Sequence, residues 1–211
     1  MPSIRINAHS SIKITTLGGE IYVDPFMIEK DNHDAFAILI THPHYDHFSP
    51  EDINKIRKGD TLFVAPIDMK EDILKLGVKE ENLFLVRKND VVKTPFFSVK
   101  CIPSYNLKKD YHKKSAGWLG YLITVGEKSV YVLGDSDLTP EALEVKCDIA
   151  LVPIGGTYTM NALEGASLVN AIKPKVAVPT HYGSIVGTFS DAETFRKNVD
   201  KDVQVKTLIK K

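Results

Sequence analysis

Three histidines and an aspartate fall within six consecutive residues, His42-Pro-His44-Tyr-Asp46-His47, just after the apolar run AFAILI that ends at Ile40. An apolar run of that length reads as a buried strand, and the polar segment behind it as a loop at the strand's end, where a rigid scaffold can present reactive groups. Residues two apart in extended chain point to one side, so His42 and His44 can meet one ion together. Asp46 and His47 follow at the turn and fall at a different angle, where they can hold a second. Imidazole with carboxylate suits zinc or, with more oxygen, iron or manganese. A catalytic metal site needs more ligands than this loop supplies, so the fold must bring other strand ends to the same place.

The rest of the chain supplies such ends. Short apolar, β-branched and aromatic runs predict strands at Ile12–Thr16, Ile21–Val23, Phe36–Ile40, Thr61–Val64, Leu83–Val86, Phe96–Ile102, Tyr121–Val125, Ser129–Leu133, Ile149–Pro153, Val176–Pro179 and Val203–Thr207. Helices are predicted after Ser49-Pro50-Glu51-Asp52 and Thr139-Pro140-Glu141, which place a capping hydroxyl before a first-turn proline and acids, and over Asp68–Leu76, Asn161–Ile172 and Asp191–Val199. The segments IKITTLGGEIYVDP and YLITVGEKSVYVLGD share one order: strand, Gly-containing turn, strand, aspartate. Each leads into a further apolar strand and a helix. Two such halves, each a sheet covered by helices, pack sheet to sheet as an α/β, four-layer αββα sandwich. No stretch is low in complexity or rich enough in Gly, Pro and Ser to be a linker, so residues 1–211 read as one domain.

Two further strand ends carry ligand types. Asp135 ends SVYVLGD behind Gly134, which permits close backbone approach, and His181 ends VAVPTHYG between Pro179 and Gly183. Taken alone, an aspartate there is a turn cap and a histidine beside glycine shapes a loop.

In order along the chain, Asp24 in YVDPF, the His42–His47 cluster, Asp135 in LGDSD and His181 in PTHYG resemble the signature of the metallo-β-lactamase superfamily, over residues 9 to 183. The resemblance implies that fold, with His42 and His44 on one metal, Asp46 and His47 on the other, Asp135 bridging and His181 completing the second. Asp24 becomes a buried structural carboxylate. The superfamily's mid-chain histidine is missing: this chain reads Pro103-Ser-Tyr-Asn106, with His112 six positions later. Either Asn106 leaves the first metal an open position, the favoured reading, or His112 swings in as a supplementary ligand. Both stand as supplementary-ligand or substrate-binding residues. The Ala-His-Ser-Ser segment at His9, the Trp118-Leu-Gly-Tyr segment and Pro153-Ile-Gly-Gly-Thr-Tyr-Thr-Met look like the compact hydrolase branch that includes ascorbate-6-phosphate lactonase. His9 itself reads as a hydrogen-bonded core histidine, with a place near the site as the alternative.

The implied activity is metal-dependent hydrolysis of an ester-like bond, lactone or phosphoester, in a small substrate. Two Zn2+, with Mn2+, Ni2+ or Fe2+ as substitutes, would supply a metal-bound hydroxide near neutral pH, and Asp46 would orient it and shuttle its proton. Lys108, Lys109, Lys113 and Lys114 around His112 can form a cationic rim favouring an anionic substrate. A redox or non-catalytic metal-binding protein of the same fold is the alternative. Lys plus Arg and Asp plus Glu balance at 27 each, which argues against nucleic-acid and anionic-membrane partners. A homo-oligomer is compatible with everything above. The first twenty residues lack an apolar signal core, and no eighteen apolar residues run together, so a soluble cytoplasmic protein is expected. Cys101 and Cys147, without Cys-x-x-Cys partners, read as buried free thiols.

Overall fold

Valine, isoleucine and aromatic side chains crowd the strand segments, and they assemble into two mixed sheets in the computed structural model, which describes residues 3–210. The first sheet runs in chain order through β1 (Ser3–Ile6), β2 (Ile12–Thr16), β3 (Gly19–Val23), β4 (Ala35–Leu39), β5 (Leu62–Pro66) and β6 (Leu83–Val86). The second runs from β7 (Val91–Lys93) at one edge through β8 (Ser98–Pro103), β9 (Leu119–Val125), β10 (Lys128–Val132), β11 (Ile149–Pro153) and β12 (Val176–Thr180) to β13 (Gln204–Val205).

The internal echo extends further than its two hairpins. In the first sheet β1, β2 and β3 pair antiparallel, and then β3 to β6 pair parallel. In the second sheet β8, β9 and β10 pair antiparallel, and β10 to β13 pair parallel. The two six-strand patterns are the same, with β7 added outside. Central parallel strands are covered on both faces, which is why β11 is buried at all five residues.

Three apolar clusters separate four layers. Ile14, Ile21 and Leu39 of the first sheet meet Val99, Tyr121 and Ile123 of the second between the sheets. Ile38, Ile40 and Phe63 pack outward on Ile53 of α1 (Pro50–Ile56) and Ile73 of α2 (Lys70–Lys75). On the far side, Leu133 and Val152 pack on Ala142 of α3 (Pro140–Leu143), Leu168 of α4 (Ala162–Ile172) and Phe195 of α5 (Phe189–Asn198). Each such valine, leucine, isoleucine or phenylalanine side chain contributes about 1.5–3 kcal/mol on burial. The helices start where the capping residues place them: Ser49 accepts from Asp52 N, Thr139 from Ala142 N, and Asn161 and Glu164 form a reciprocal capping box.

The differences from the sequence reading lie at edges. β1 and β7 are short edge strands with at most one buried residue, too weakly patterned to stand out. The helix expected from Asp68 begins as a 3-10 turn over Ile67–Met69, with α2 following. The last strand is confined to two residues. α5 starts earlier than expected because the Asp191 carboxylate accepts the Thr188 backbone N–H at 2.6 Å. Both cysteines are free; Cys101 is buried and Cys147 half-buried. No helix among the described residues is long and apolar enough to cross a membrane.

Candidate metal centre

Asp24 follows β3, His42 to His47 follow β4, His112 lies beyond β8, Asp135 beyond β10 and His181 directly after β12, so ends of strands from both sheets converge. Six of the chain's seven histidines meet there with Asp46 and Asp135. The exception is His33, exposed beside Asp31.

The spacing of their atoms is specific. His42 Nε2 lies 3.0 Å from His44 Nδ1, which lies 3.2 Å from His112 Nε2. Asp135 approaches His47 Nε2 at 3.2 Å, His112 Nε2 at 3.4 Å and His181 Nε2 at 3.0 Å. Asp46 Oδ2 approaches His47 Nε2 at 3.4 Å. A tetrahedron with metal–ligand distances of about 2.1 Å has edges of roughly 3.4 Å, so these separations are those of donors arranged around an ion. Four of the atoms concerned, His9 Nε2, His47 Nε2, His181 Nε2 and Asp135 Oδ1, are buried without a hydrogen-bond partner. Buried polar atoms are rarely left so, and cations held among these groups would satisfy them. His42, His44 and His112 form one group that can hold a metal; His9, Asp46 and His181 form another; Asp135 and His47 stand between them with His42.

Behind these atoms, the far ring nitrogens are tied down. Thr41 Oγ1 donates to Asp24 Oδ2 at 2.7 Å and so accepts from His42 Nδ1 at 2.9 Å. His47 Nδ1 donates to Asp24 Oδ2 at 2.7 Å. Asp24, 1% exposed, also accepts the Thr41 backbone N–H. Its burial pushes its pKa up, against the pull of His47 and Thr41. This arrangement leaves Nε2 of both imidazoles facing the centre, as a carboxylate behind a metal-binding histidine does.

The open position expected opposite Asn106 is not what the structure has. His112 is turned in, with Nδ1 against Asn106 Oδ1 at 3.1 Å, while Asn106 Nδ2 donates to the Tyr158 carbonyl at 2.9 Å. Asn106 does not face the centre as a ligand; it holds the residue that does. His9 is buried, with Nδ1 against Ser184 Oγ at 3.1 Å, as a core histidine would be, and it also lies at the site, its Nε2 3.3 Å from Asp46 Oδ2. Its sequence signal was the Ala-His-Ser-Ser segment, in a polar turn between two apolar runs. Trp118 was missed as a wall of the site: its indole packs on His42 and His44 with ring centroids 5.1 and 5.0 Å away.

Electrostatics follow from this packing. Burial favours neutral Asp46, but His47 and His9 overcome it and hold the carboxyl below its ordinary range. Asp135 is held well below its range in the same way: burial opposes the charge, and His181 and His47 outweigh it. Burial together with His47 keeps His42 well below the usual imidazole value. For His47 burial opposes protonation, yet Asp135 and Asp24 on either side raise its pKa well above that value.

A cavity of about 260 Å³ opens on His44, Asp46 and Asp135, walled by Tyr45, Tyr111, Tyr158 and Ile185. A larger one, about 360 Å³, reaches Trp118 from among Arg87, Lys88 and Lys114, but none of the clustered ligand-type residues lines it. The expected cationic rim is absent from the smaller cavity. Lys109 is paired with Asp137, Lys114 with Glu141 at 2.8 Å, and Lys113 lies 3.8 Å from Asp110.

A family model described as the beta-lactamase superfamily domain matches residues 3–181. The chain belongs to this superfamily. Among its relatives, a UPF0173 protein of Pyrococcus abyssi is 31% identical over 92% of this chain and 88% of its own length. A UPF0173 metal-dependent hydrolase of Aeropyrum pernix is 28% identical, covering 92% of this chain and 87% of the relative. The fold superposes on a Parabacteroides distasonis protein provisionally named a metal-dependent hydrolase, with TM-score 0.81, 26% identity and coverage of 99% and 94% of the two chains. It also superposes on CmlA, a diiron beta-hydroxylase of Streptomyces venezuelae, with TM-score 0.78, 16% identity, and coverage of 98% of this chain and 52% of that one. The superfamily fold therefore accommodates more than one chemistry, and the reaction must be argued from the site.

Proposed function

We propose that this chain is a binuclear metal-dependent hydrolase that cleaves an ester-like bond in a small substrate. The observation that carries it is the set of imidazole and carboxylate atoms at tetrahedral-edge spacing, several of them buried and unpartnered. His42, His44 and His112 would hold one ion; Asp46, His47 and His181 would hold the second; Asp135 faces both groups. Bound divalent ions, taken here as zinc, supply Lewis acidity and bring the pKa of a water to about 7. Asp46, ionised and lining the cavity, accepts the proton of the attacking water and passes it to the leaving oxygen. Trp118 shields the imidazoles from solvent on one side, which strengthens electrostatic interactions within.

The cavity walls favour the lactone over the phosphoester. Tyr45, Tyr111, Tyr158 and Ile185 offer flat apolar faces and hydroxyls, and no lysine or arginine lines the cavity. At about 260 Å³ the space is below the range of roughly 300–1,000 Å³ usual for drug-sized ligands, so the substrate is small.

The test is metal content per chain, with hydrolysis of lactone and phosphodiester panels, for wild type, His44→Ala and Asp135→Asn. Two ions per chain, with loss of metal and of lactonase activity in both variants, is the expected result. Full activity in metal-free protein would overturn the reading.

A further inference from the structure

The second group contains more imidazole than two-metal chemistry needs. Asp46 Oδ2 is surrounded by three ring nitrogens at similar range: His9 Nε2 at 3.3 Å, His47 Nε2 at 3.4 Å and His181 Nε2 at 3.7 Å. In its distance from Asp46, His9 is the equal of the other two, although His47 and His181 also reach Asp135.

His9 is also built into the site as its neighbours are. Its side chain is fully buried, and its Nε2 has no hydrogen-bond partner. Its Nδ1 meets Ser184 Oγ at 3.1 Å, so a proton on Nδ1 leaves the Nε2 lone pair facing Asp46. The ring lies on that of His181 with centroids 3.8 Å apart, and the His181 backbone N–H donates to the His9 carbonyl at 3.0 Å. Both residues hold left-handed backbone, φ 50° and 58°, which for non-glycine residues persists only where the surroundings enforce it.

We infer that His9 is itself a ligand of the second ion, through Nε2, beside Asp46, His47, His181 and Asp135. This rests on the binuclear reading above. Five protein donors leave room for one more ligand in an octahedron but exceed the four of a closed zinc tetrahedron. A second ion so held is one that accepts five or six ligands, Mn2+, Fe2+, Co2+, Ni2+ or zinc expanded to five-coordination.

Co2+ supplies the probe, because its visible bands are weak in five- or six-coordinate sites and strong in tetrahedral ones. Wild type, His9→Ala and His9→Gln would be titrated with Co2+, following stoichiometry by elemental analysis, the visible spectrum, and folding by circular dichroism. Glutamine keeps a hydrogen-bond donor near the Nε2 position but offers no imidazole nitrogen. Expected are two ions in wild type, one of them bound more weakly in both variants by more than the roughly 10–100-fold that loss of an outer-shell partner costs, with that ion's bands intensified. Ser184→Ala, which leaves the imidazole in place, should lose affinity less and provides the measurement if His9→Ala does not fold. Wild-type affinity and spectrum in both His9 variants, or restoration of both by glutamine, would overturn the assignment and leave His9 a hydrogen-bonding partner of Asp46. Wild type that binds no Co2+ would overturn the binuclear reading as well.

Discussion

His112 reaches the centre because Asn106 ties it there. The asparagine carbonyl oxygen meets His112 Nδ1, its amide is anchored on the Tyr158 carbonyl, and the two backbones are joined by the Asn106 N–H donating to the His112 carbonyl at 2.6 Å. Burial, reinforced by His44 and His47 against the pull of Asp135, pushes the His112 pKa down to about 4, so the ring is neutral near pH 7 with its Nε2 lone pair directed inward. Asn106→Ala removes the tautomer lock without touching a donor atom. Losing a partner of this kind costs on the order of 10–100-fold in metal affinity. The expected result is that one of two ions becomes exchangeable with a mild chelator while the other stays, read as a split in the metal-release curve. Release of both together, or of neither, would contradict the separate role assigned to His112.

At the scale of elements, the strand-to-loop junctions decide how accurately the donors are placed. Gly155, just after β11, has no room for a side chain: a Cβ there would lie 2.4 Å from the His181 carbonyl oxygen and 3.0 Å from His181 Nδ1. Backbone cannot yield as a flexible side chain does, so Gly155→Ala should displace His181 and weaken the second ion by about tenfold or more, a magnitude typical of disturbed ligand support. Gly59→Ala, with nothing within 4 Å of the new methyl, is the matched control and should keep wild-type metal content. Junctions also explain what could be read in the sequence. The donors after β4 are contiguous, and Asp135 and His181 each end an apolar run, so local pattern marked them. His112 depends on a hydrogen bond spanning six residues, and His9 on packing against His181, 172 positions away in the chain; neither relation leaves a periodic trace. The lysine cluster misled for the same reason: two of its acidic partners, Asp137 in the loop after β10 and Glu141 in α3, are distant in the chain.

Over the whole molecule, the donors divide between the two halves that the internal echo defines. His9, His42, His44, Asp46 and His47 come from the first sheet's loops, and His112, Asp135 and His181 from the second's. Ions held by both would clamp one sheet to the other across the interface that Ile14, Leu39, Tyr121 and Ile123 form. Stability must then depend on metal by mass action, since the unfolded chain does not gather these donors. An ion present at about a thousand times its Kd adds about 4 kcal/mol. At roughly 2–4 °C per kcal/mol for a chain of about this size, one such ion raises Tm by about 8–16 °C. Calorimetry of protein dialysed against chelator and then titrated with Mn2+ or Zn2+ should show Tm rising with free metal and falling again on renewed chelation. His33→Ala, which alters a histidine outside the centre, should leave that metal-dependent shift intact, whereas Asp135→Asn should abolish most of it. A Tm independent of metal would mean that the halves hold each other by apolar packing alone and that the centre forms no clamp between them.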